Sequence, residues 1–264
     1  MKQVLLTDNL PIYCLQKPEA LVLDHHIQGY FHDSIQLKDG DVVMDVGANI
    51  GVLGVRLLHK FPQSKVYAFE PIPMIFKVLE ANAKRLGADR FVALNMGLST
   101  QPGALEFVYF PLAPALSTAH PEMWDDPSKF ALAVKGVLKD LKTQFWWAKL
   151  IPLGISGLIA RVLRWGATKM VCPLQTLSSV MRDKQIERID LLKIDCEGAE
   201  WEVLQGIAAE DWPKIQQVVA EVHNENNRLE QVKQLLTTHG LTSIHVEQEA
   251  GLHGTSLYNI FAHR

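Results

Sequence analysis

The segment that most constrains the fold of this chain is a β-branched run at residues 41–46 that leads into a glycine-rich turn. Residues 44–54 read MDVGANIGVLG. The apolar residues Val52, Val55 and Leu58 share one face of the helix that this turn opens. A buried strand that turns through glycines into a helix is typical of the first unit of a doubly wound sheet. We therefore predict an α/β fold with a mostly parallel sheet and helices on both faces.

Short β-branched runs and helical patterns alternate along the rest of the chain. Further strands are predicted at residues 66–70, 91–96, 103–110, 189–195 and 216–222. Helices are predicted at residues 50–60, 71–86, 199–206 and 229–239. Two final strands at residues 243–247 and 257–263 suit an antiparallel pair at the sheet edge. Since no linker divides the chain, we expect one domain, residues 1–264, with residues 1–40 as an N-terminal cap.

Residues 111–170 interrupt the alternation, and residues 145–165 are their most apolar part, with the sequence FWWAKLIPLGISGLIARVLRW. Because loops of this length without structure are uncommon inside a compact domain, we expect an apolar helical lid insertion. Three interpretations stay open. The insertion buries its own apolar face, covers a hydrophobic substrate, or contacts a carrier protein or membrane surface with Lys149, Arg161 and Arg164 facing lipid headgroups.

The composition excludes several classes of function. The 26 basic and 29 acidic residues form no long run of one sign, so we expect no nucleic-acid partner. The three cysteines lack a CxxC pair, which argues against a disulfide framework and a zinc site. We find no signal peptide and no uniformly apolar span, and therefore expect a cytoplasmic protein. The sequence does not indicate an oligomeric state.

The glycine turn also carries a chemical signal, because Gly47 and Gly51 let a ligand approach the backbone closely. A dinucleotide fingerprint would have glycine at the position of Asn49, and a diphosphate would gain nothing from Asp45 at the strand end. A cationic ligand with an amino group would be stabilised there. Glu70, 25 residues after Asp45, ends the next strand and can accept hydrogen bonds from both ribose hydroxyls of an adenosine. The alternatives are a structural turn and a surface glutamate.

A second group of polar residues lies at the ends of two later strands. Lys193, Asp195 and Glu197 share one parity within KIDCEGAE, so they project to the same side while the strand persists. Glu221 and His223 share parity at the end of the next strand. A histidine near its unperturbed pKa can remove a proton from a hydroxyl, and we expect His223 beside Asp195 to do so. A structural ion-pair network is the alternative.

The same residues allow a metal-dependent alternative. Asp195, Glu221 and His223 could hold a divalent cation, magnesium or manganese, that lowers the pKa of a substrate hydroxyl. Metal-free acid–base chemistry is preferred. On a predicted helix before the first strand of the sheet, His25 and His26 are interpreted as surface or core residues, although Tyr30 could reach a ligand pocket.

The motifs DVGANIG, AFEP and IDLLKIDCEGAE, in this order, resemble those of the FkbM-type methyltransferases. The terminal YNIFAHR is similar to the last strand of that family. The resemblance implies a Rossmann-like class I methyltransferase fold, with a mostly parallel seven-stranded sheet and an antiparallel edge strand. It also implies S-adenosylmethionine as methyl donor and O-methylation of natural products, polyketides or sugars.

The resemblance further implies roles for individual residues. The residues implied to bind the cofactor are Asp45, Gly47, Asn49 and Gly51 at the methionine part, Glu70 at the ribose and Asn95 near the adenine, together with Pro71 and Asp195. The turn at residues 97–99 is a second candidate for the adenine contact.

These arguments together predict an S-adenosylmethionine-dependent O-methyltransferase. Its acceptor is a hydroxyl or carboxyl of a small, hydrophobic molecule of polyketide, lipid or sugar type. Asp195 and His223 would handle the proton, with Lys193, Glu197 and Glu221 beside them. Two alternatives are kept: a nicotinamide-dependent oxidoreductase on a related fold, and a non-catalytic module that binds the cofactor.

Overall fold

The computed structural model describes most of the chain, namely residues 1–30, 35–120, 130, 131, 134–136, 138, 142, 149, 150, 152–248 and 256–264. The strands of this part are β1 (Lys2–Leu5), β2 (Pro11–Cys14), β3 (Val42–Val46), β4 (Lys65–Phe69), β5 (Phe91–Leu94), β6 (Gly97–Leu98), β7 (Gly103–Tyr109), β8 (Thr168–Gln175), β9 (Leu191–Ile194), β10 (Gln217–His223), β11 (Ser243–Glu247) and β12 (Leu257–His263). Its α-helices are α1 (Lys17–Gly29), α2 (Val52–Lys60), α3 (Pro73–Leu86), α4 (Ser156–Leu163), α5 (Leu177–Asp183), α6 (Glu200–Gln205) and α7 (Arg228–Thr238).

Seven strands form the central sheet, in the order β11-β12-β10-β9-β3-β4-β5. Each neighbouring pair from β10 to β5 is parallel, and β12 runs antiparallel to both β10 and β11. The predicted seven-stranded, mostly parallel sheet is thus confirmed. Its antiparallel strand lies one position inside the edge strand β11, and the last two strands have the predicted bounds.

The order of the strands reverses at β3, because the chain continues to β4 on one side and reaches β9 on the other. Ligands of doubly wound sheets bind in the crevice at the carboxyl ends of the strands beside such a reversal. Asp45, Glu70 and Asp195 lie at or directly after the carboxyl ends of β3, β4 and β9. The topology therefore brings residues singled out from the sequence to one edge of the sheet.

Alternation along the strands divides the core into two layers. Val43 and Leu191 pack with residues of α1, α2 and α3 on one face of the sheet. Met44 and Leu192 pack with residues of α5, α6 and α7 on the other face. Because successive side chains of a strand point to opposite faces, the odd-numbered positions of β3, β9 and β10 face α1, α2 and α3.

Two smaller sheets lie outside the central one, and of their strands the sequence pattern predicts β7 but misses β1, β2, β6 and β8. β1 and β2 form an antiparallel pair that precedes α1 in the N-terminal cap. β8 pairs with β7 in antiparallel and with β6 in parallel orientation. Because β8 begins at Thr168, the insertion predicted for residues 111–170 ends a few residues earlier. Pro173, a residue type that is rare inside strands, masks β8 in the sequence.

The insertion buries part of its own apolar surface, which is the first of the three interpretations. The residues of this small core are Phe110, Ala113, Phe130, Val134, Leu138 and Ala160. Leu158 and Trp165 remain 64% and 79% exposed. Residues 145–148 and 151 lie outside the described residues, so the contact with a carrier protein or a membrane through residues 145–165 stays a prediction. Within the described ranges, no helix combines the length and the apolar character required to cross a bilayer.

Candidate functional site

Ionisable side chains of one sheet face meet at the carboxyl ends of the central strands. Asp45 on β3, Lys193 on β9 and Glu221 on β10 occupy odd-numbered positions, which face α1, α2 and α3. Asp45 and Lys193 are direct neighbours across the β3–β9 pair. Such positions of a buried sheet are normally apolar, so this concentration of charge requires a physical explanation.

Lys193 is the centre of this cluster and is 2% exposed. Its Nζ lies 3.1 Å from Asp45 Oδ1 and 3.5 Å from Asp195 Oδ2. It also donates a hydrogen bond to the carbonyl of Gly47 at 3.1 Å. Burial opposes the charge, but the neighbouring carboxylates of Asp45 and Asp195 outweigh this effect and raise the pKa of Lys193. Lys193 is therefore a permanent cation that holds two carboxylates in place.

Asp45 is enclosed and incompletely satisfied. Its Oδ2 is buried and has no hydrogen-bond donor among the described residues. Burial raises the pKa of Asp45, against the attraction of Lys193. Because a buried polar atom without a partner is costly, Asp45 Oδ2 is a candidate to bind a group other than the described residues.

Asp195 connects the cluster to helix α1. The hydroxyl of Tyr30, directly after α1, donates a hydrogen bond to Asp195 Oδ2 at 3.0 Å. His26 lies one helical turn earlier, with its Nε2 2.7 Å from the Tyr30 hydroxyl oxygen and 3.9 Å from Asp195 Oδ2. Burial acts to raise the pKa of Asp195, but Lys193, His26 and Tyr30 together lower it. Asp195 therefore stays ionised.

His26 is a site residue that the sequence pattern does not identify. Its interpretation as a surface or core residue is corrected, because its Nε2 lies 3.6 Å from Glu221 Oε2 and its side chain is 21% exposed. Tyr30 donates a hydrogen bond to Asp195, and its contact with a ligand stays a prediction. The one available signal is the spacing of four residues between His26 and Tyr30, which places both on one face of α1.

His223 has a different partner from the one expected. In the described part of the chain its Nδ1 faces Glu200 Oε2 of α6 at 3.4 Å, rather than Asp195. The other oxygen of Glu200 accepts hydrogen bonds from the backbone N–H groups of Cys196 and Gly198. Burial disfavours the imidazolium, but Glu200 prevails and the pKa of His223 rises to about 9. His223 is thus protonated in neutral solution, and the expectation of a base near its unperturbed pKa is not met.

Glu197 lies beyond the strand, because β9 ends at Ile194 and Glu197 has a φ of +53°. The predicted shared parity therefore holds for Lys193 and Asp195 but not for Glu197. A left-handed conformation is uncommon for glutamate and persists where the surrounding structure enforces it. Here the Thr118 hydroxyl donates a hydrogen bond to the Glu197 carbonyl at 2.8 Å. Burial, followed by the proximity of Asp195, raises the pKa of Glu197 well above its usual range.

Among the described residues of this cluster, acidic groups outnumber basic groups. Its carboxyl groups are those of Asp45, Asp195, Glu197, Glu200 and Glu221, and its basic groups are those of Lys193, His26 and His223. Burial, followed by Asp195, raises the pKa of Glu221 to about 7. Among the described residues, the cations are too few to offset the desolvation of Asp45, Glu197 and Glu221, so a positively charged ligand would favour the ionised forms of these groups.

Contacts inside the protein explain why the turn has glycine at both positions. Gly47 has a φ of +74°, and a Cβ at this position would lie 1.7 Å from the carbonyl oxygen of Asp195. Gly51 has a φ of +86°, and a Cβ there would lie 2.6 Å from Leu79 Cδ1 on α3. Close contact within the protein therefore requires both glycines, whether or not a ligand also approaches them. Asn49 adopts a φ of +49°, a conformation that asparagine tolerates better than most residues.

Glu70 joins the tip of β4 to the glycine turn. Its carboxylate accepts hydrogen bonds from the backbone N–H groups of Ile72, at 2.8 Å, and of Asn49. Burial raises the pKa of Glu70 to about 7. Asn95 Nδ2 donates hydrogen bonds to the carbonyls of Glu70 and Pro71 at 2.9 and 3.0 Å. The residues predicted to hold ribose and adenine are thus neighbours, while their contact with an adenosine stays a prediction.

The metal-dependent alternative does not fit the geometry. The carboxylate of Asp195 is engaged by Lys193 and Tyr30, and His223 faces Glu200. Across the ranges that the structure covers, no group of three or more His, Cys, Asp and Glu side chains could hold a metal ion. Asp195, Glu221 and His223 are therefore not arranged as a magnesium or manganese site.

Comparison with known proteins identifies the family of this chain. The sequence model of the methyltransferase FkbM domain matches residues 45–243. The chain is 34% identical over 235 residues to the 31-O-demethyl-FK506 methyltransferase FkbM of Streptomyces tacrolimicus, covering 89% of this chain and 85% of that protein. It is 33% identical over 248 residues to the methyltransferase sdnD of Sordaria araneosa, covering 90% of this chain and 88% of that protein.

A solved structure supports the assignment of the fold. The crystal structure of methyltransferase FkbM from Methylobacillus flagellatus KT has a TM-score of 0.55 and 11% sequence identity, and the similarity covers 93% of this chain. It covers 53% of that chain, so this protein spans about half the length of its structural relative. The predicted Rossmann-like class I methyltransferase fold is confirmed. With the family model matched over most of its length, the chain belongs to the FkbM family of methyltransferases.

Proposed function

We propose that this protein is an S-adenosylmethionine-dependent O-methyltransferase that modifies a hydroxyl group of a small, hydrophobic natural product. Family membership supports methyl transfer. The relative from Streptomyces tacrolimicus is named for a 31-O-demethyl substrate, which supports oxygen as the acceptor atom. Of the two predicted acceptors, a hydroxyl is favoured over a carboxyl, because the ionised Asp195 would repel a carboxylate.

One observation carries the proposal: in the described part of the chain, carboxyl groups outnumber basic groups at the carboxyl edge of the sheet. Asp45 Oδ2 is buried and has no donor among the residues described. A ligand with a sulfonium and an ammonium group would supply the missing positive charge. S-Adenosylmethionine carries both groups, together with ribose hydroxyls that suit an acidic residue at the tip of the second strand.

The residues of the chain would bind and orient the reactants. Asp45 Oδ2 would accept a hydrogen bond from the ammonium group, Glu70 would hold the ribose, and Asn95 would border the adenine. Bound S-adenosylmethionine supplies an electrophilic methyl group, so the protein needs to align the acceptor oxygen and exclude water. Asp195 stays ionised beside Lys193 and would accept a hydrogen bond from the acceptor hydroxyl.

The oxidoreductase alternative is disfavoured by the same electrostatics. A nicotinamide dinucleotide would bring a diphosphate toward Asp45, Glu197 and Glu221, where no free cation is available among the described residues to neutralise it. The non-catalytic alternative predicts cofactor binding without turnover, and therefore differs only in an activity assay.

Calorimetric titration tests cofactor binding. We expect S-adenosylmethionine and S-adenosylhomocysteine to bind and NAD to give no signal. Asp45→Asn is expected to weaken binding of both S-adenosylmethionine and S-adenosylhomocysteine at least tenfold, because residue 45 then no longer offers a negative charge to the ammonium group. Asp89→Asn, at an exposed position after α3, is the matched control and should bind as the wild type does. Failure of the folded wild type to bind either ligand would refute the proposed function.

Transfer of a labelled methyl group tests the acceptor. Neutral alcohols of polyketide, lipid and sugar type are incubated with the enzyme and labelled S-adenosylmethionine, each beside its carboxylic acid analogue. We expect label in the alcohols and less in the acids. Preferential labelling of the acids would contradict the hydroxyl assignment. Cofactor binding without label in any acceptor of the panel would favour the non-catalytic module.

A further inference from the structure

Helix α4 of the insertion is apolar on two opposite faces. One face packs on the small core of the insertion, where Ala160 is buried and Ile159 and Leu163 lie against it. The apolar side chains of the other face are exposed, namely Ile155 at 41%, Leu158 at 64%, Val162 at 51% and Trp165 at 79%. Their spacing of three or four residues places them on one side of the helix, which we define as the outer face. A helix that is apolar all round is normally buried on every side, so the outer face is a candidate contact surface.

The space around α4 is open. A Cβ added at Gly154 or Gly157 would meet nothing within 4 Å. Large apolar side chains that are half exposed or more project from the protein surface, and contiguous groups of them mark contacts with a partner or a membrane. Projecting side chains of this kind suit a soft layer that has no preformed pocket.

The charge of the same segment indicates an anionic partner. The whole chain has a net charge of −3, yet residues 149–170 contain four basic residues and no acidic one. The basic residues are Lys149, Arg161, Arg164 and Lys169. The segment is therefore positively charged within an acidic protein, and it is attracted to a surface of negative charge.

Arg161 is the basic residue that is placed to act together with the apolar side chains. It is exposed, and it lies three residues after Leu158 and four before Trp165, so it belongs to the outer face. Lys169, by contrast, pairs with Glu106 at 2.7 Å, and Arg164 lies over the ring of Phe130. Apolar and tryptophan side chains beside a basic residue are typical of helices that lie in the interface of a membrane.

We propose that the outer face of α4 docks this protein on an anionic lipid surface. Leu158, Val162 and Trp165 enter the boundary between headgroups and acyl chains, and Arg161 contacts the headgroups. Since none of the described helices is long and apolar enough to span a bilayer, α4 lies within the interface. The docking is independent of the proposed function, because it requires neither a methyl donor nor an acceptor.

A lipid surface fits the outer face better than a protein does. In a symmetric contact with a second copy of the chain, the same patch would face itself and bring the two Arg161 side chains toward each other. An acidic carrier protein would match the charge of Arg161 but not the projecting Leu158 and Trp165. A bilayer with anionic headgroups matches the charge and the apolar side chains together.

Sedimentation with lipid vesicles tests the docking in the absence of cofactor and acceptor. We expect the wild type to bind vesicles made of phosphatidylcholine and phosphatidylglycerol in equal parts, and to bind vesicles of phosphatidylcholine alone more weakly. Leu158→Ser should weaken binding by about tenfold or more, because the buried leucine side chain is lost. Arg161→Gln should weaken binding to the mixed vesicles by about fivefold and leave binding to phosphatidylcholine unchanged.

Two variants at distant exposed positions are the matched controls. Leu5→Ser removes a 55% exposed leucine of β1, and Lys84→Gln removes a 63% exposed charge of α3. Both should bind the mixed vesicles as the wild type does. Unchanged thermal unfolding of all four variants shows that each is folded.

Fluorescence quenching keeps the inference testable if Leu158→Ser does not fold. Lipids with brominated acyl chains should quench the wild type more strongly than Trp165→Phe, because Trp165 is the exposed tryptophan of the outer face. Equal quenching of the two proteins, or equal binding to both kinds of vesicle, would overturn the inference. So would a folded wild type that binds no vesicles and instead forms dimers in light scattering or retains an acidic acyl carrier protein. None of these outcomes affects the proposed methyl transfer, which is tested by cofactor binding.

Discussion

Gly47 and Asp195 are in direct contact at the centre of the sheet, since a Cβ on residue 47 would lie 1.7 Å from the carbonyl oxygen of Asp195. The contact exists because β3 and β9 are adjacent and parallel, and the chain turns sharply where β3 ends. Lys193 strengthens it by donating a hydrogen bond to the Gly47 carbonyl. The glycine turn and the KIDCEGAE segment are therefore one structural unit.

Gly47→Ala is expected to destabilise the protein by about 4 kcal/mol or more, because the new methyl group meets backbone and the φ is positive. Gly103→Ala, at a position where a Cβ meets nothing within 4 Å, should change stability by less than about 0.5 kcal/mol. Urea denaturation of both variants measures the difference. Similar stability of the two variants would contradict the close contact between residue 47 and the Asp195 carbonyl.

Lys193→Met should destabilise the fold by about 3–5 kcal/mol, because it leaves Asp45 and Asp195 buried without their cation. The double variant Lys193→Met, Asp45→Asn should recover part of this loss, since one of the two unpaired charges is gone. Lys169→Met removes an exposed ion pair and should cost only about 0–1 kcal/mol. Denaturant titrations at pH 7 measure the free energy of unfolding of each variant. If Lys193→Met lowers this free energy as little as Lys169→Met does, Lys193 is not the centre of a buried ion-pair cluster.

The ligand-free protein is expected to lose stability as the pH rises from 5 to 7.5. Burial raises the pKa values of Glu19, Glu70 and Glu221 from their ordinary value of 4.5 to about 7. Between these values the folded state holds more protons than the unfolded state, so the free energy of unfolding falls with rising pH. Glu70→Gln should make this loss smaller, whereas the exposed Glu187→Gln should not. An unchanged pH dependence in Glu70→Gln would exclude Glu70 as a contributor.

His223 should also contribute stability that falls as the pH rises, but over a higher pH range and through its charged form. Its pKa is raised from 6.5 to about 9 beside Glu200, so its contribution is fully present below pH 6.5 and is lost as the pH rises through 9. His223→Gln is expected to cost about 1.5–3 kcal/mol at pH 6 and clearly less at pH 9.5. The exposed His59→Gln is the control. A cost that does not change with pH would show that His223 acts through packing alone.

Much of the fold is readable from local patterns. The strand before the glycine turn, the helix after it and the final antiparallel pair all follow from the periods of apolar residues, because those segments are buried on defined faces. β8 is not readable in this way, since Pro173 breaks its pattern and its partner β7 lies more than 50 residues earlier in the chain. The pairing of distant strands leaves no trace in a local window.

The sequence by itself determined that Lys193 and Asp195 share one side of their strand and that Glu221 and His223 share one side of theirs, because parity along a strand is a local property of the backbone. Only the tertiary structure decided which partners these groups have. Helix α1 places His26 and Tyr30 against Asp195, and α6 places Glu200 against His223. The charge of a buried side chain depends on such neighbours. The protonation of His223 is therefore decided by its packing against Glu200 rather than by its residue type.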